Sequence, residues 1–188
     1  MNDTTKDYMK FVFMLITAMM AIFGISYLNT FDSSHVYWSE SRYYMTLLMG
    51  ATLGIVFMVF MQKYYRKKSA TITIYLSSMI VFIVTLGLMR TQVAINDTDY
   101  LKSVIPNHSA SMLSSERAII QDYRVKRIAN EIQSQHQQQI EQMAWLINDI
   151  EENGIVKTYY ESLQRPIPDT YFKPRVDNLE NTNDLLSE

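Results

Sequence analysis

The chain is 188 residues long, enough for one or two domains, with a formal net charge of −2 and no cysteine. The missing cysteines exclude disulfides, thiolate metal sites and cysteine nucleophiles. Residues 1–96 carry eight basic and four acidic side chains and residues 97–188 nine and fifteen, and an acidic second half argues against nucleic acid as a partner, because phosphate binding needs a basic surface.

Three apolar runs come first, near residues 8–28, 43–61 and 70–89. Each reaches the ~20 residues that a helix needs to cross a bilayer. The first run has no small-residue cleavage site after it, so it reads as a retained anchor rather than a signal peptide. Lysine and arginine set the expected direction. The turn after the second run holds Lys63, Arg66, Lys67 and Lys68, and the N-terminus holds Lys6 and Lys10; the loop 29–42 has only Arg42. The N-terminus and the basic turn are therefore expected in the cytoplasm, with the loop 29–42 and everything after Met89 outside. Tyr27, Phe31, Tyr37, Trp38, Tyr43 and Tyr44 crowd the outer boundary as an aromatic belt, and Tyr64 and Tyr65 mark the inner one. Gly50 and Gly54 put small residues four apart on the second run, a spacing that lets helices approach closely, within the chain or between copies.

A polar linker, 91–97, leads to a helical stripe of Leu101, Val104, Ile105, His108, Met112, Ser115 and Ile119. Pro106 lies inside it, either starting the strong part of the helix or kinking it and freeing the carbonyl of Lys102. Asp122 is placed as the N-cap of a second helix with the stripe Val125, Ile128, Ala129, Ile132, His136, Ile140, Met143, Ile147 and Ile150, ended by Asn153-Gly154. A short turn makes the two helices antiparallel neighbours. Pairing Ile119 with Val125 then pairs Met112 with Ile132, His108 with His136 and Leu101 with Met143. Two helices bury too little surface to stand alone, so the hairpin is expected to complete a bundle with another copy or to dock on the membrane-side loops. Residues 154–188, with Pro166, Pro168, Pro174 and the acidic stretch 177–188, read as an extended or disordered tail. The predicted fold is all-α, in three parts: a three-span region at 1–93, a helical hairpin at 97–153 and the tail at 154–188.

Copper(I) favours thioether sulfur and also takes imidazole. His108 and Met112 are four apart on one helix face, and His136 and Met143 seven apart on the next. These four residues are the candidate metal ligands. The alternative is a metal-free core in which the histidines bond each other or the backbone and methionine fills gaps. In that case the hairpin is a structural or interaction module, with a pH-sensing variant because histidine titrates near neutrality. A second copper candidate groups His35 with Met45, Met49 and Met89. There is no phosphate loop, nucleophile elbow or HExxH motif, Ser109 and His108 point apart as helix neighbours, and Glu131, Glu141 and Asp149 lie off the stripe, so no hydrolytic or nucleotide-type enzyme is expected; a redox-active copper centre in the bundle is the third reading, with no substrate named by the sequence.

The run Ile105-Pro106-Asn107-His108-Ser109, then Leu113-Ser114-Ser115-Glu116-Arg117-Ala118, Asp122-x-Arg124-Val125, Glu131-Ile132 and Ile140-x-x-Met143 resembles the domain-of-unknown-function family 305. Tyr27-Leu28-Asn29-Thr30, His35-Val36-Tyr37-Trp38-Ser39-Glu40 and Tyr44-Met45-Thr46-Leu47 resemble its membrane-anchored branch. The resemblance implies a ferritin-like half-bundle completed by oligomerisation, copper handling on the periplasmic face of a bacterial inner membrane, and a periplasmic metal-handling partner. It makes His108 the primary ligand and matches Met143 to the family's second-helix methionine. Asn107 stands where the family has the first of two histidines, Ser114 stands where some members carry methionine, and His136 lies outside the motif.

Overall fold

The computed structural model describes residues 3–65 and 67–168, and every regular element among them is helical. α1 spans Asp3–Ile25, α2 Glu40–Phe60, α3 Lys68–Thr91, α4 Asp97–Arg117, α5 Tyr123–Asn153 and α6 Tyr159–Gln164. The chain forms two compact units, residues 1–28 with 39–99 and residues 29–38 with 100–188.

In the first unit, Thr5–Ile25, Glu40–Phe60 and Lys68–Thr91 are long and apolar enough to cross a membrane. Large apolar side chains point away from the unit along all three, among them Phe13, Met20, Val59, Leu76 and Ile83. That arrangement is stable only where the surrounding solvent is itself apolar. The two small residues of α2 are used inside the chain. A Cβ at Gly50 would overlap the Met19 side chain of α1, and one at Gly54 would meet Ser78 Oγ of α3 at 2.9 Å and Leu15 Cδ2 of α1 at 3.4 Å. At the end that carries the basic turn, Tyr8, Phe11 and Met58 form a buried cluster with Tyr65 and Ile74 packed on it. Tyr8 donates its hydroxyl to the Lys67 carbonyl at 3.1 Å, which ties α1 to the start of α3.

The second unit joins the α4–α5 hairpin to the loop 29–38. Its core is Ile105, Met112, Ile140, Met143 and Ile147, with Tyr37 of the loop, Leu101 and Val104 packed against it. Asn96 starts α4, its Oδ1 accepting from the Asp99 N–H at 2.9 Å. Pro106 does not interrupt the helix: α4 runs through it, and the ring is fully buried. Packing offsets the lost backbone hydrogen bond and the clash with the preceding turn. Asp122 caps α5 as its position predicts, accepting from the Arg124 N–H at 2.8 Å. Gly154 closes α5 at a positive φ of 78°, a conformation that favours glycine, its N–H donating to Ile150 O at 2.9 Å. At the end away from the hairpin turn, Lys102 of α4 pairs with Glu151 of α5 at 2.7 Å.

The segment after Gly154 is not simply extended. Thr158 and Glu161 form a reciprocal capping box that starts the six-residue α6. Arg165 then turns back, pairing with Asp149 at 2.8 Å and donating to Gly154 O at 2.6 Å. The acidic stretch 177–188, with Tyr171, Phe172 and Pro174, lies outside the described residues.

Candidate functional site

The four ligand candidates fall into two environments. His108 of α4 and His136 of α5 face each other across the hairpin, ring centroids 4.3 Å apart and planes tilted 44°. Met112 and Met143 instead belong to the isoleucine-rich core, where a flexible thioether fills space between branched side chains.

The nitrogens of the histidine pair are unequal. His108 Nδ1 lies 3.2 Å from the Val104 carbonyl of its own helix. That contact calls for a proton on Nδ1 and leaves Nε2 carrying the lone pair. His136 Nδ1 is buried and finds no hydrogen-bond partner among the described residues. Burial pushes the His136 imidazole below the ordinary histidine value, the charge of a protonated His108 would push it further, and the His108 backbone partly opposes both. Burial thus favours the neutral form of His136, the state in which imidazole binds metal. Beside it an open groove of about 450 Å³ runs toward the hairpin turn, lined by Ala110, Ser111, Ser114 and Ser115 of α4 and by Ile132 and His136 of α5.

The spacing of the rings limits what they do as they stand. Two imidazoles that share one ion at about 2 Å from each nitrogen hold their centroids roughly 5–6 Å apart. At 4.3 Å, with their planes tilted, the rings lie closer than that, so ligation requires one of them to swing outward. Among the described residues no three His, Asp or Glu side chains gather around one point.

The third histidine has a different role from the one that its place in the loop suggests. Asp32 caps a short 3₁₀ turn, Ser33–His35, by accepting from the Ser34 N–H at 2.7 Å. The turn delivers His35 into the second unit, where it is 8 % exposed. Its Nδ1 lies 3.0 Å from Ser109 Oγ, and the Phe31 N–H donates to the same oxygen at 2.7 Å. Burial lowers the His35 pKa, while Asp32 and Glu141 act to raise it. Ser109 is thus paired with a histidine 74 residues away rather than with its neighbour His108. Ser109 is 0 % exposed, and the node clamps the loop to α4. Sequence periodicity held a signal for it: Leu101, Ile105, Ser109 and Met112 share one face of α4. Met45 and Met49, the proposed companions of His35, are exposed on α2.

No protein-family model matches the chain, and no solved structure matches it. A curated relative, the uncharacterized protein L153 of Acanthamoeba polyphaga mimivirus, is 27% identical over 149 residues, which cover 72% of this chain and 92% of that protein.

Proposed function

We propose that this is a membrane-anchored protein whose helical hairpin holds a soft metal ion, Cu(I) being the best chemical match, between His108 and His136. The observation that carries the reading is the meeting of two imidazoles from opposite helices, one with a buried nitrogen that no group among the described residues satisfies. A neutral ring with an unused lone pair is the donor that Cu(I) takes. The Val104 carbonyl would orient His108 so that Nε2 is its ligating atom. Met112, one turn from His108 on α4, would be the thioether next in reach, and Met143 the one on α5; both must leave the core to serve. When bound, the ion would supply storage or transfer of copper at the membrane surface. The resemblance to family 305 supports this reading and points to a bacterial inner membrane. The basic turn at 63–68 supports a cytoplasmic N-terminus with the hairpin on the opposite, periplasmic side, where a metal-handling partner would meet it.

A second reading has its own support. The close-packed histidine rings and the methionines packed among isoleucines are also what a metal-free interaction module needs. Titration of the full-length protein in detergent with Cu(I), against a competing chelator under reducing conditions, separates the two. The copper reading expects binding tighter than micromolar, weakened about 10-fold or more by either His108→Ala or His136→Ala. Binding weaker than micromolar, or equal binding by the variants, refutes it and leaves the interaction module. A reporter fused after Gly154 tests the side of the membrane: activity in the cytoplasm overturns the orientation.

A further inference from the structure

We propose that Arg42, laid over the Tyr27 ring at the end of the spans away from the basic turn, is a binding site for the phosphodiester of a membrane phospholipid. α2 is 21 residues long, about 32 Å at ~1.5 Å per residue, close to the ~30 Å of a hydrocarbon core. Arg42 stands in its first turn, so in a bilayer its guanidinium lies at the level of the lipid headgroups. Arg42, Met45 and Met49 share one face of α2. Both methionines are 44 % exposed, which turns that face toward lipid rather than toward α1 or α3.

The guanidinium is placed but not satisfied. The Ser39 N–H donates to the Tyr27 hydroxyl at 3.0 Å, which fixes the ring beside the start of α2. Arg42 Cζ lies over that ring, 4.6 Å from its centroid, a contact that positions the planar guanidinium. Its Nε is shut away from solvent and has no hydrogen-bond partner among the described residues. None of the ion pairs among those residues includes Arg42. Glu40, two positions back, points to another side of the helix. The guanidinium therefore keeps its donors for a ligand. A charged group short of acceptors at the edge of hydrocarbon is costly, and a ligand with paired anionic oxygens offsets that cost. Phosphate and carboxylate both match the guanidinium fork. Depth chooses between them, because the phosphodiester is the acceptor that a phospholipid leaflet presents at the level of Arg42. The basic turn at the other end differs in kind. Lys63, Lys67 and Lys68 are point charges on flexible stems, which attract a surface without fixing one headgroup.

Full-length protein in mild detergent is titrated with phosphatidylethanolamine and followed by native mass spectrometry and thermal melting. This lipid has no net charge, so the basic turn gives it little attraction. Diacylglycerol with the same acyl chains, which lacks the phosphate, is the control. The expected result is a saturable phospholipid adduct with a rise in melting temperature, and neither with diacylglycerol. Arg42→Gln should weaken phospholipid binding roughly 10-fold or more. Arg42→Lys keeps the charge but loses the fork and should fall between the two. Equal binding by wild type and Arg42→Gln overturns the proposal. So does an equal effect of diacylglycerol, which would assign the adduct to the acyl chains. Stabilisation by inorganic phosphate alone, at the same concentration as the lipid, overturns it in favour of a free anion. Should Arg42→Gln fail to fold, Arg42→Lys and the diacylglycerol comparison decide.

Discussion

Ser109→Ala is the most informative single change outside the histidine pair. The hydroxyl oxygen takes two contacts from one loop, the Phe31 N–H at 2.7 Å and His35 Nδ1 at 3.0 Å, in a site closed to water at Ser109 itself. Alanine fits the space but offers no polar atom, so both loop groups lose their partner together. Leaving one buried donor unsatisfied costs about 1–3 kcal/mol. Opening of the loop 29–38 should then become roughly 5- to 150-fold easier, since ~1.4 kcal/mol is a factor of ten. Hydrogen exchange of the Phe31 amide reads this directly, because the amide exchanges only when the loop lifts. The expected result is a loss of protection confined to residues 29–38, with amides of α5 near Ile140 unchanged. His35→Ala should produce a smaller loss, and the double variant should cost less than the sum of the two single changes, because both act through one oxygen. Equal protection of Phe31 in wild type and Ser109→Ala would refute the clamp.

Acidification should weaken the second unit. His35 and His136 both have folded pKa values below the ordinary one, so below about pH 6.5 the unfolded chain binds protons that the folded chain resists. Stability is then level above that pH and falls as pH drops through 6.5 toward the folded values, by less than about 1.4 kcal/mol per pH unit for each ring, since both keep some contact with solvent. Thermal melts of the wild type and of His35→Gln between pH 5 and 8 check this, and a pH-independent difference between them would contradict it. In the membrane unit, Gly50→Leu should cost about 1–3 kcal/mol by forcing Met19 and α1 away, whereas Gly24→Ala, with open space at its Cβ, should be neutral or slightly stabilising; melting in detergent distinguishes them. Arg165→Ala should release α6, because Arg165 ties the end of α6 to Asp149 and the Gly154 carbonyl, and limited proteolysis should cut within 155–165 sooner in the variant, with no change in cleavage counting against the anchor.

The elements of this fold that sequence exposes are those whose cause is local. Span length follows from bilayer thickness, and both ends of α5 follow from Asp122 and Asn153-Gly154, residues whose side chain or backbone freedom does the capping. The elements it hides depend on distant or competing effects. Phe31 and Ser109 are 78 residues apart, and although the spare apolar width of the hairpin allows docking on the membrane-side loops, nothing within either segment says which residues make that contact. Pro106 is ambiguous in isolation, because its local cost favours a break and only burial against the hairpin core decides for continuity. α6 was masked by the prolines that follow it, although Thr158 and Glu161 hold the spacing of a capping box.

The candidate site shows where periodicity stops being informative. His108 and Met112 recur on one stripe and His136 and Met143 on another, and spacing treats all four as equivalent. What separates them is the size of the side chains across the hairpin. One turn from His136 in one direction lies Ile140, packed against large residues of α4 in a dry core; one turn in the other lies Ile132, facing serines and an open groove. The histidine pair sits at that boundary. The core side explains why His136 Nδ1 is shut away from water and why its charged form is disfavoured. The groove side leaves the ring room to turn, which Met112 and Met143 lack among their isoleucine neighbours. A ligand pair that must open from close contact before it binds needs both conditions at once, and at the sequence level they are set by Ser111, Ser114 and Ser115 as much as by the histidines themselves.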